Sequence, residues 1–310
     1  MEVFENILSA AIRSGTPLLF ATLGEIITER SGVLNLGLEG LMLIGAIFGF
    51  MAAYIFQNIY LAFILAIIAG AVFSLIHAFM TITLKANQTV SGLALTMLGT
   101  GLSGMLGRNY IGKVAPKFLP IEIPFLSKIP LIGKVLFSHD VLVYISYILV
   151  IGIAYFIFKT KIGMNLRAVG EEPSAADSAG INVFLTRYLA TITGGALTAA
   201  GGAYLSLAYT SMWIENMSAG RGWIAIALVI FSMWNPYRAL IGSYLFGGII
   251  AMQLRLQAEG KINISPNLLM MLPYLTTLII MIIFSFNENF RKRMGAPSAL
   301  GVPYSREEKT

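Results

Sequence analysis

The chain has 310 residues, 57% of them hydrophobic and only 12% charged, about half the charged share of a soluble domain. With a mean hydropathy of +0.78, this excludes a soluble enzyme, a disordered tail and a collagen-like rod. The formal charge is +6, and the absence of cysteine excludes disulfides and thiolate chemistry. The basic residues sit between apolar runs, as topology signals and not as a nucleic-acid patch.

The apolar runs are long and do not alternate, so the expected fold is an all-α, polytopic transmembrane bundle in the cell membrane, not a barrel. One transmembrane domain covers residues 1–310. Over 1–13, Val3, Phe4, Ile7, Leu8, Ala11 and Ile12 share a helical face, opposite Glu2, Glu5, Asn6, Ser9 and Arg13. That pattern predicts an interfacial amphipathic helix lying on the lipid bilayer. Spans are expected near 15–28, 41–56, 60–84, 90–106, 141–158, 186–209, 219–234, 237–253 and 268–285, with the count between eight and ten. Several fall short of the ~20 residues that a straight crossing needs. Short, glycine-interrupted segments predict broken helices that line a cavity.

The loops 107–140 and 159–187 flank one span and lie on opposite sides. Arg108, Lys113, Lys117, Lys128 and Lys134 in the first balance Lys159, Lys161, Arg167 and Arg187 in the second. Arg291, Lys292 and Arg293 abut the last span and place the tail, 286–310, in the cytoplasm. Counting spans back puts the 159–185 loop there too. The 107–140 loop and the N-terminal helix then lie outside. Pro116, Pro120, Pro124 and Pro130 make the 107–140 loop an extended strap, which either receives a partner or serves as a lid.

Tests for chemistry are mostly negative. Residues 107–113 approach a P-loop, but Val114 replaces the hydroxyl that would hold Mg²⁺, and no strand precedes. The only aspartates are Asp140 and Asp177, both in loops, so there is no intramembrane dyad. His77 and His139 make no zinc motif, and His77 reads as a packed polar residue. No cofactor, metal or catalytic group is expected. Glu25 and Glu29 are expected to pair with Arg30, whereas Glu39 either fixes two helices or lines a pathway, since a mid-span carboxylate costs on the order of 3 kcal/mol on insertion scales.

The 159–185 segment carries the most information. Glu171 and Glu172 precede Pro173, a favourable first helical residue, at the positive end of a helix dipole. Gly180 is placed to end the helix. The expected helix, 173–179, is faced with Ala175, Ala176, Ser178 and Ala179, small enough to slot into a groove on another protein.

This loop resembles the cytoplasmic coupling segment of ATP-binding-cassette import permeases of the simple-sugar and nucleoside branch. Further motifs resemble the same branch: Gly24-Glu25, then Glu29-Arg30-Ser31-Gly32-Val33-Leu34-Asn35-Leu36-Gly37-Leu38-Glu39-Gly40; Ala86-Asn87-Gln88-Thr89-Val90-Ser91-Gly92; and Gly220-Arg221-Gly222-Trp223 with Trp234-Asn235-Pro236. Ser232-Met233 departs from the glycine and basic residue common before Trp-Asn-Pro. The resemblance implies a permease subunit without a catalytic site. It would pair with a cytoplasmic ATPase, a second and different permease subunit, and an external substrate-binding lipoprotein. Coupling to the ATPase would fall to Arg167, Glu171, Glu172, Ala175, Ala176, Asp177 and Gly180. The substrate pathway would be lined by Asn35, Glu39, Asn87, Gln88 and Ser91, polar groups near the ends of apolar spans. The spans hold few basic residues, so the cargo should be a neutral, hydroxyl-bearing solute. The resemblance favours a nucleoside over a simple sugar. An ion-coupled secondary transporter is the rival class.

Overall fold

The computed structural model describes residues 2–130, 132–259, 268, 271–285 and 295–306. Among them, six helices are long and apolar enough to cross a membrane. These are α1 (Glu2–Arg30), α2 (Leu38–Phe56), α3 (Ile59–Ala78, continued by a π-turn), α4 (Gln88–Gly107), α6 (Val141–Lys159) and α11 (Pro236–Glu259). The others are α5 (Ile132–Leu136), α7 (Lys161–Glu171), α8 (Pro173–Ser178), α9 (Val183–Tyr204), α10 (Arg221–Ser232) and α12 (Leu272–Ser285). Arg291, Lys292 and Arg293, which set the sequence-based topology, lie outside the described residues.

Local chemistry starts the helices where it should. Asn58, Asn87, Asp140, Thr160 and Asn182 each turn a side-chain oxygen onto an N–H of the following helix, satisfying donors that have no partner within the helix. Apolar side chains such as Ile64, Ile68, Val72, Met97, Ile148 and Ile151 point outwards from α3, α4 and α6, as a lipid-facing surface requires.

The centre belongs to α9, which packs along α1, α2 and α3. It is rich in glycine, alanine and threonine and does not reach the hydropathy of a candidate span. A Cβ on Gly45 would collide with the Ala199 backbone, and one on Gly202 with that of Met42. Small residues therefore let these backbones touch, which is how helices gain contact where lipid offers no hydrophobic drive. Gly194 meets Gly24 and Thr28, and Gly201 meets Pro17, so α1 and α9 run antiparallel over their length.

A separate interfacial helix over 1–13 is not present: α1 is continuous through Arg30. Gly15 does not break it, because this glycine is where α1 meets the Ser243 carbonyl of α11. Ala11 and Ile12 are buried inside the bundle. The 107–140 loop is also less extended than its prolines suggest. Strands Ile121–Glu122 (β1) and Ser138–His139 (β2) pair antiparallel, α5 lies against α1, and the Phe118 N–H donates to the Leu207 carbonyl at 2.9 Å. Lys113, the P-loop look-alike lysine, sits over the rings of Tyr54 and Tyr110 at 4.9 and 5.2 Å.

The bundle therefore has two faces. The 107–140 loop and the first half of α1 share one. The end of α1, α7, α8 and the start of α9 share the other, where Gly170 packs on Arg30 and Gly32.

Candidate functional site: two breaks and a loop-face assembly

Among the described residues, two segments of non-helical backbone enter the bundle. The first, residues 31–37, leaves α1 and climbs along α4, with Leu36 against Gly92 and Gly37 against Leu95. Its backbone groups are met one by one. The Leu34 N–H donates to Gln88 Oε1 at 2.7 Å, the Asn35 N–H to Glu25 Oε1 at 3.0 Å, and the Gly37 N–H to Asn35 Oδ1 at 2.8 Å. Thr96 Oγ1 donates to the Leu36 carbonyl. His77 Nε2 lies 3.1 Å from the Leu34 carbonyl, and its Nδ1 lies 3.0 Å from Ser91 Oγ. A carbonyl can only accept, so Nε2 carries the proton, and in a neutral ring Nδ1 accepts from Ser91. Unpaired backbone is costly away from water, which explains why these side chains are polar.

The second break precedes α10. This helix has 12 residues, about 18 Å at 1.5 Å per residue, roughly half of a bilayer core. Its last turn is tied to the loop face. Trp234 Nε1 donates to Glu29 Oε2 at 2.6 Å, and Arg30 donates to the Trp234 carbonyl at 3.4 Å. The start of α10 therefore lies deep, where Glu39 receives it. Glu39 Oε1 accepts from Ser218 Oγ at 2.6 Å and from the Gly220 N–H at 2.8 Å, and Oε2 accepts from the Gly222 N–H at 2.7 Å. A carboxylate at a helix N-terminus meets both the orphan donors and the positive end of the dipole.

These contacts sort the sequence-derived candidates. Asn35, Gln88 and Ser91 gather around the first break, and Glu39 holds the second. Asn87 stands apart, exposed, with its Oδ1 accepting the Val90 N–H at the start of α4. Glu25 and Glu29 do not pair with Arg30. Their acceptors go to Asn35 and Trp234, because both carboxyl groups face inward from α1 while Arg30 turns to the end of α10.

Beside the second break lies a cavity of about 560 Å³, walled by Tyr209, Thr210, Met217, Arg221, Gln253 and Gln257, among others. Sites for small molecules run to roughly 300–1,000 Å³. Sequence reasoning missed these side chains. The signal was there: Arg221 stands inside the Gly220-Arg221-Gly222-Trp223 motif, and Gln253 interrupts an apolar helix. Arg221 is one of the few basic residues within the expected spans. Its Nη1 donates to the carbonyls of Met217 and Ser218 at 3.3 and 3.1 Å, and its guanidinium lies 5.6 Å from the centre of the Tyr209 ring.

On the loop face, Pro173 begins α8 and Gly180 ends the turn after it, at φ +82°. Glu171, Glu172, Ser174, Ala175, Ser178, Ala179 and Gly180 are exposed, and Arg167 is half-buried. Ala176 is not on the outer surface. It is packed among Val169, Val183 and Tyr304, since a helix this short must bury one small side chain to stay on the bundle. Asp177 is held by Arg306, at 2.9 Å from Nε and 2.8 Å from Nη2. This bidentate bond keeps the Asp177 carboxyl below the usual carboxylate range. Arg187, counted from sequence among the loop charges, is buried in α9 and donates to the carbonyls of Ser31 and Val302.

A family model described as the permease component of the branched-chain amino acid transport system matches residues 7–282. The chain belongs to that permease family. It is 39% identical, over 99% of both chains, to a Haloferax volcanii protein provisionally named as a glucose ABC transporter permease. The guanosine ABC transporter permease protein of Bacillus subtilis is 35% identical over 98% of both chains. The nucleoside ABC transporter permease protein of Lactococcus lactis is 34% identical over 93% of both. Among solved structures, an inward-facing ABC transporter, provisionally of metal-chelate type, aligns with a TM-score of 0.52 at 14% identity, over 89% of this chain and 85% of that one. That likeness shows the fold. The permease is accordingly a multi-pass protein of the cytoplasmic membrane and a subunit of an ABC transporter.

Proposed function

We propose that the permease carries a neutral, hydroxyl-bearing solute inwards, and that the solute is a nucleoside. The observation that carries this reading is the cavity beside the second break, whose lining includes Tyr209 and the two glutamines Gln253 and Gln257. Bases stack on aromatic faces, and ribose hydroxyls need amide or hydroxyl partners. Full-length relatives named for guanosine and nucleosides support it. The Arg221 guanidinium is oriented by the carbonyls of Met217 and Ser218 and by the Tyr209 ring. Asn35, Glu39, Gln88 and Ser91 frame the pathway by holding the two breaks, and Asn87 is the pathway residue with an exposed side chain.

A second reading, a free hexose, is favoured by the Haloferax relative named for glucose. In both readings ATP is hydrolysed by a separate cytoplasmic chain that docks on the exposed side of α8. A second, different permease chain and an external binding lipoprotein complete the transporter. The test is uptake of labelled guanosine or uridine into cells carrying the whole transporter. Uptake should survive an uncoupler that leaves ATP intact, and unlabelled nucleosides should compete. Competition by glucose or ribose but not by nucleosides would overturn the nucleoside assignment.

A further inference from the structure

Segment 298–306 touches every part that a coupling movement would have to connect. The Ala299 N–H donates to the Gly170 carbonyl at 2.9 Å, at the end of α7, and the Gly301 N–H to the Gly32 carbonyl at 3.1 Å, just after α1. Ser298 donates from its N–H and Oγ to Glu171 Oε2 at 3.2 and 3.0 Å. The Val302 carbonyl accepts from the buried Arg187 of α9 at 3.1 Å. The Tyr304 ring lies 5.9 Å from that of Phe184 and packs over Val169, Ala176 and Val183. Arg306 closes the segment onto Asp177 of α8.

We propose that residues 298–306 form a strap that positions α7 and α8, fastening them to the end of α1 and to α9 so that displacement of α8 reaches the bundle. This rests on the reading of α8 as the ATPase-docking helix. By itself α8 has six residues and one buried side chain, too little to hold a fixed angle under load. The strap adds backbone bonds to the loop after α1 and to α7, and an ion pair to α8. It acts through those helices and touches neither solute nor nucleotide. Glu171 and Asp177, assigned from sequence to the ATPase, thereby face the strap.

The test uses the complete transporter in proteoliposomes, with solute moved per ATP hydrolysed as the readout. Arg306→Asp and Asp177→Arg should each lower that ratio about two- to fivefold, a modest loss because the pair is solvent-exposed. The double exchange, with both substitutions in one chain, should restore most of it. Association of the ATPase, followed by cross-linking from a cysteine at position 178, should be unchanged throughout. An unchanged ratio in both single variants, or no recovery in the exchange, would overturn the strap. Loss of the cross-link in Arg306→Asp alone would make Arg306 a docking residue and overturn the positioning role. Failure of the cross-link in an otherwise unaltered, working transporter would instead remove α8 as the docking helix, and the strap's role with it.

Discussion

Glu39→Gln separates a structural carboxylate from one that meets solute. Glu39 accepts three donors, from Ser218, Gly220 and Gly222, at 2.6–2.8 Å. Glutamine offers one oxygen and one NH₂. If the oxygen replaces Oε1, two bonds survive as neutral bonds, each weaker by about 1 kcal/mol. The NH₂ then faces the Gly222 N–H, a donor against a donor, and leaves a buried N–H unmet at a further ~1–3 kcal/mol. The sum is about 3–5 kcal/mol, concentrated at the start of α10. With an unfolding entropy near 2.1 cal/mol/K per residue, the midpoint should fall by roughly 5–8 °C. The assay is a thermal melt of the detergent-purified chain, run beside uptake in cells. Ser218→Ala, which removes one donor and leaves the carboxylate two, should lose about a third as much. A variant that melts with the parent chain but fails to transport would refute this account and return Glu39 to the solute.

Further outcomes follow from the packing and from the Asp177–Arg306 pair. Ala176→Trp should unseat α8 and lower the stability of the purified chain, because Ala176 is buried. Ala175→Trp, on the exposed side, should leave the melt unchanged and abolish ATP-driven uptake. Gly45→Leu should prevent assembly, since any side chain there meets the Ala199 backbone, whereas Gly101→Ala meets nothing within 4 Å and should be neutral or gain up to ~1 kcal/mol from helix propensity; membrane-inserted yield distinguishes them. The Asp177–Arg306 pair holds the aspartate below its ordinary value of 3.8. Its contribution is therefore complete above about pH 4 and is lost as the pH falls through the lowered value. Transport per ATP should consequently show no titration from Asp177 between about pH 5 and 9, measured against the Asp177→Asn variant.

Much of the fold was legible because bilayer physics constrains it tightly. Apolar length marked the spans now seen as α2, α3, α4, α6 and α11. The Pro173 start and Gly180 stop bounded α8 to within a residue. What failed was anything set by partners distant in sequence. The continuity of α1 past Gly15 depends on Ser243, more than 200 positions away. Glu29 looked like a partner for adjacent Arg30, yet its donor is Trp234. Ala176 and Ala175 are indistinguishable as letters, and the packing of α7, α9 and the strap decides which one is covered. Hydropathy also undervalues α9, because a helix enclosed by other helices needs small side chains more than apolar ones.

The same reasoning bears on how polar residues in an apolar chain are read. Asn35, Glu39, Gln88 and Ser91, like Asn87, are pathway candidates by sequence because they are polar groups near the ends of apolar spans. The structure gives each of them protein groups to meet: Gln88, Ser91 through His77, and Asn35 serve the break at 31–37, and Glu39 serves the break before α10. A broken helix and a polar side chain are thus one feature, since the break frees backbone groups that lipid cannot satisfy. Residues that meet solute should be sought one layer further in, on the walls that the breaks hold open. Around the second break these are Tyr209, Arg221, Gln253 and Gln257. Two of them, Gln253 and Gln257, are amides one helical turn apart on α11, so both can line the same wall.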